Sequence, residues 1–204
     1  TLRVGLFVFA FVFPALVQSA YGQEFCAGDK GLYDQGRINT DLESKLYSLF
    51  VCRDDLPPGA SQQNDVVACN WFVGQALAEI WGRNEFFLSP AGRYMITSEL
   101  AAIQPDGWVK MGWTDLGFAD NHDALASAEK AAFDGNAVIA LRSGHVALVL
   151  PGGLANSPDW KLNVPRAAQL RINDIDRAFV GCRLSRSWKA AEHSGVRLLS
   201  APRN

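Results

Sequence analysis

Histidine and methionine are scarce in this chain of 204 residues: three of the first and two of the second. The four cysteines, Cys26, Cys52, Cys69 and Cys182, are widely separated and none lies beside a histidine. That pattern excludes the common zinc frameworks, which need closely spaced ligand pairs, and no metal is expected. An excess of one charge is also lacking, with 19 Lys and Arg against 21 Asp and Glu. Phosphate binding needs a concentrated basic face, so nucleic acid is not expected as a partner. No tract is rich enough in Gly, Ser or Pro to be a linker, no internal repeat occurs, and only one long apolar run is present.

That run lies at the start. Arg3 precedes apolar residues from Val4 to Val17, interrupted by Gly5 and Pro14, and Ala20-Tyr21-Gly22 then fits a small-x-small cleavage site before Gln23. This three-part layout predicts a cleavable secretory signal over residues 1–22. Its apolar core is short for a bilayer span, so no stable membrane insertion is expected after cleavage. Residues 23–204 suit a single domain. The expected location is secreted or periplasmic, where disulfides form. Cys26–Cys52 is the first candidate bridge and Cys52–Cys182 the other.

Residues 38–51 carry a helical apolar face through Leu42, Leu46, Leu49 and Phe50, and Pro57-Pro58-Gly59 marks a loop. Cys69, Val73, Ala76 and Ile80 recur at three- and four-residue spacing, predicting an amphipathic helix that Asn64 or Asp65 caps and Gly82 stops. Residues 83–120 read as loops and short elements. A helix is expected from Asp123 to Phe133. Strands follow at Ala137–Leu141 and Val146–Leu150, joined by the Arg142-Ser143-Gly144 turn. Pro151-Gly152-Gly153 is expected to end the second strand, and a third is expected over about 160–164. Helices first and antiparallel strands later predict an α+β domain, N-terminal helices packed on an antiparallel sheet.

A thiol nucleophile needs a lowered pKa, a base within reach and a group that orients the base. The unpaired amides of a helix's first turn favour a thiolate, and Cys69 is expected there. His145 opens a strand just after a glycine turn and supplies a candidate base. Generic alternatives stand beside both: Cys69 as a small buried hydrophobe or half of a disulfide, His145 as a satisfied histidine at a strand end. His122 and His193 read as surface residues.

The segment Ala68-Cys69-Asn70-Trp71-Phe72-Val73, with Ala76-Leu77 and Trp81-Gly82, resembles the nucleophile helix of papain-like bacterial cell-wall hydrolases, the group that contains the NlpC/P60 and CHAP amidases. Gly135 to Ala140 followed by Gly144-His145-Val146-Ala147-Leu148-Val149 resembles their second hallmark, a glycine-histidine pair that starts a strand. The resemblance covers roughly residues 60–166. It implies a papain-like cysteine hydrolase core, cleavage of peptide stems of peptidoglycan by Cys69 with His145 as base, and no cofactor. The group's third residue, on the strand after the histidine, is less plain. Asn163 is the first choice, with Asp159, Asn156 and Gln169 as rivals. Gln63, six residues before the cysteine, is expected to donate to the oxyanion beside the Cys69 amide. Trp108, Trp113 and Trp160 either line a substrate cleft or anchor the core.

Three functions follow as expectations: an amidase or endopeptidase on peptidoglycan, a cysteine peptidase or isopeptidase on proteins, and a non-catalytic envelope-binding domain stapled by disulfides.

Overall fold

The computed structural model describes residues 40–50, 68–170 and 178–204. In chain order the elements are helices α1 (Thr40–Ser48) and α2 (Ala68–Trp81), short strands β1 (Phe87–Leu88) and β2 (Arg93–Tyr94), helices α3 (Thr97–Ala101) and α4 (Pro105–Lys110), strand β3 (Thr114–Phe118), helix α5 (His122–Phe133), and strands β4 (Ala137–Arg142), β5 (His145–Ser157), β6 (Leu162–Gln169), β7 (Phe179–Arg183) and β8 (Arg197–Ala201). The 1–22 signal and the 53–64 loop expected from the sequence lie outside the described residues.

Six strands form one antiparallel sheet in the order β3-β8-β4-β5-β6-β7. The side-chain period of two assigns its residues to two cores. Ile139 and Leu141 of β4 and Val146, Leu148 and Leu150 of β5 join Cys69, Phe72, Val73 and Ala76 of α2. Val138, Ala140, Ala147 and Val149 join Leu125, Ala128 and Ala132 of α5 in the other. Both faces of β4 are therefore buried, which is why its sequence is an unbroken aliphatic run rather than an alternating one. This is a mixed α+β fold with helices packed against an antiparallel sheet. Each fully buried Leu, Val or Phe contributes roughly 1.5–3 kcal/mol to holding a helix on that sheet.

Local chemistry sets the element ends. The Asn121 side chain accepts from the amides of Asp123 and Ala124, at 2.8 and 3.3 Å, and starts α5. Gly82 ends α2 in the left-handed conformation, φ 71°. Gly74 sits inside α2, where glycine costs about 1 kcal/mol against alanine. A Cβ there would fall 2.3 Å from the Tyr94 ring, so the glycine makes the notch in which β2 packs. The Tyr94 hydroxyl donates to Gln75 Oε1 at 2.9 Å.

The second half corrects the expected strand lengths. Pro151-Gly152-Gly153 does not end β5. The strand passes through a register irregularity between Leu150 and Ala155 and runs on to Ser157. Gly152 and Gly153 take φ values of 142° and 80° there, which glycine alone adopts at little cost. The expected third strand begins later and runs further, as β6. Strands β7 and β8 complete the sheet.

Candidate active site

Helix α2 and strand β5 carry the two residues singled out as nucleophile and base. They pack on one another, and Cys69 shares its core with Val146, the residue after His145. The direction of α2 follows from its far end. Trp81 Nε1 donates to the Gly135 carbonyl at 3.2 Å, and the Asn204 amide donates to the Trp81 carbonyl at 3.1 Å. Those partners flank the Ala137–Ala201 end of β4 and β8. From there α2 packs across β5 and β6, so the helix that carries Cys69 lies against the strand that His145 opens.

His145 is 6% exposed. Its Nε2 stands 2.6 Å from Oε1 of Gln169, at the end of β6. An amide oxygen can only accept, so in this pair Nε2 bears the proton and the neutral ring has its lone pair on Nδ1. Gln169 is fully buried. The indole of Trp188 meets the His145 ring edge-on, with centroids 5.0 Å apart and planes at 62°. A buried, hydrogen-bonded imidazole with a fixed tautomer has the attributes of a general base.

No protein-family model matches this chain, and no curated protein matches its sequence. The arrangement therefore stands on its own geometry.

That geometry corrects the choice of Asn163. Its Cα pairs with Asn156, and its side chain is exposed. Six residues separate it from Gln169 along β6, about 20 Å of strand. The expectation takes β5 to stop at Leu150 and residues 151–158 to be a loop that folds the 160–165 segment back opposite His145. Because β5 continues to Ser157, residues 162–164 pair with its far end, and the residue brought to His145 is Gln169, one of the rivals. Asp159 and Asn156 lie with Asn163 at the far end of the hairpin.

The tryptophans are core anchors and do not line an open cleft. Trp108 and Trp113 are 1% and 2% exposed. Phe86 stacks on Trp113 at 5.5 Å and meets Trp108 edge-on at 5.9 Å. Trp113 Nε1 donates to Glu85 at 2.7 Å, and the Arg83 guanidinium lies 5.1 Å over its ring. Trp160 is buried and stacks on His193 at 5.1 Å. His122 is exposed, as expected, whereas His193 is half-buried.

The two described cysteines differ in state: Cys182 is disulfide-bonded, whereas Cys69 is not part of a bridge and keeps its thiol in a buried position. Cys26, Cys52 and the oxyanion candidate Gln63 lie outside the described residues. No group of three or more His, Cys, Asp or Glu side chains among the described residues could hold a metal ion. No described helix is long and apolar enough to cross a membrane.

Proposed function

We propose that this chain is a secreted or periplasmic papain-like cysteine amidase that cleaves peptide stems of peptidoglycan. The observation that supports the reading is the buried His145–Gln169 pair on two strands against which α2, the helix of Cys69, packs. Cys69 Sγ attacks the scissile carbonyl carbon as the thiol proton passes to His145 Nδ1. The tetrahedral oxyanion collapses, the C–N bond breaks, and the imidazolium gives its proton to the leaving amine. Water then attacks the thioester, with His145 taking its proton and returning it to the departing sulfur. Gln169 holds the ring through Nε2 in both half-reactions. The backbone amide of Cys69 is the proposed oxyanion donor, with Gln63 as the second.

The peptide-stem substrate rests on the resemblance of the Cys69 and His145 segments to the cell-wall hydrolases. The test is incubation of purified sacculi with the protein. The expected result is release of peptide fragments by the native chain and none by Cys69→Ala or His145→Ala, both folded. Sacculi left intact alongside cleavage of a denatured protein substrate would move the assignment to a protein peptidase.

One observation favours a second reading. Cys69 is only 3% exposed, and a buried cysteine commonly serves as a small core hydrophobe. In that reading the chain is a non-catalytic binding domain, and native protein that binds sacculi without releasing peptides is the result that selects it.

A further inference from the structure

Between β7 and β8 the chain makes two short 3-10 turns, Leu184–Arg186 and Ala190–Gly195. Three side chains of this segment grip two strands and the turn between β5 and β6. Trp188 meets the His145 ring edge-on at 5.0 Å. Glu192 Oε1 accepts from Arg142 Nη1 at 2.9 Å. His193 stacks on Trp160 at 5.1 Å.

The first two contacts close a circuit. Arg142 and His145 are register partners across the β4–β5 turn, so neighbouring residues at one strand end are both held by the same short segment. Glu192 is itself fixed, because its second oxygen accepts from the Lys189 amide at 2.9 Å, one residue beyond Trp188. The segment also lies close along Arg142: a Cβ on Gly195 would stand 3.2 Å from Arg142 Nε. A partly exposed ion pair contributes little stability by itself, about 0–1 kcal/mol. Its effect here is geometric, since it ties the carrier of Trp188 to the strand end from which His145 projects.

We propose that the Arg142–Glu192 pair is a positioning device for His145, fastening the 188–195 segment so that Trp188 keeps the imidazole on Gln169. The function of that positioning rests on the reading of His145 as a base. Its physical test does not. The readout is solvent exchange of the His145 Nε2 proton, followed by proton NMR of the full chain carrying Cys69→Ala, without substrate.

Replacing Arg142→Met removes the charge and keeps the length. It is expected to speed exchange of the ring proton at least about tenfold through local opening, with little change in thermal midpoint. Glu192→Ala, which also frees the Lys189 amide, is expected to exchange at least as fast. Arg142→Lys restores a cation opposite Glu192 and is expected to return the rate to within about twofold of the parent. Exchange within twofold of the parent in both Arg142→Met and Glu192→Ala overturns the proposal, as does an Arg142→Lys rate no slower than that of Arg142→Met. Neither result bears on whether sacculi are cleaved. Failure of the sacculus assay, in turn, leaves the exchange rates as they are and removes only the catalytic meaning of the positioning.

Discussion

Gln169 Oε1 lies 2.6 Å from His145 Nε2, and the two residues project from neighbouring antiparallel strands with both side chains buried. The contact fixes which ring nitrogen carries the proton, so losing it has two separable effects. Replacing Gln169→Leu leaves a buried N–H without this acceptor, a cost of about 1–3 kcal/mol in stability. It also allows the other tautomer, and peptide release is expected to fall on the order of 10²-fold. Chemical denaturation and the sacculus assay measure the two effects independently.

Asn163→Ala is the matched control. The side chain is exposed at the far end of the β5–β6 hairpin. Stability is expected to stay within about 0.5 kcal/mol of the parent, with peptide release unchanged. A loss of activity comparable to that of Gln169→Leu would return the orienting role to Asn163.

Glu99 makes the start of α3 sensitive to acid. Its carboxylate takes two contacts from Arg93, both at 2.7 Å, and a third from the Ile96 amide at 2.8 Å. The Arg93 hydrogen bond is the leading cause that lowers its pKa from 4.5 to about 2. The fold favours the anion, so the stabilisation is complete above about pH 4.5 and is lost as pH falls toward 2. At neutral pH, Glu99→Gln is expected to cost about 0.5–2 kcal/mol, the range of a lost helix cap. Denaturation midpoints of parent and variant should converge as pH falls through that window.

Trp113 tests the reading of the central insertion as core. Trp113→Ala removes a buried indole stacked on Phe86, and with it the donor to Glu85. The expected loss is about 3–5 kcal/mol. Peptide release per folded molecule is expected to remain. A variant with native stability but weakened binding to sacculi would restore Trp113 to a substrate cleft.

The parts legible in the sequence were those governed by local rules. The spacing of Cys69, Val73 and Ala76 marked the buried face of α2, and Gly144, φ 90°, marked the turn before His145. What local rules missed depended on register. Pro151-Gly152-Gly153 has the composition of a strand end, yet in a paired strand the same residues form an irregularity that pairing on either side outweighs. That one misreading shortened β5, moved the hairpin and put Asn163 where Gln169 stands. The tryptophans were ambiguous for another reason. Composition does not distinguish an aromatic that meets ligand from one that meets Phe86, and only the tertiary contacts do.

The sheet order bears on the timing of assembly. Strand β8 lies between β3 and β4, although residues 197–201 are synthesised long after both. Until they emerge, β4 lacks its neighbour on one side and β3 has no partner in the sheet. Hairpins β4–β5 and β5–β6 can form early from contacts near in sequence, whereas the whole sheet waits for an insertion of high contact order. A nascent chain that stops short of residue 197 is therefore expected to remain protease-sensitive, with a seam open between β3 and β4 that another strand could enter.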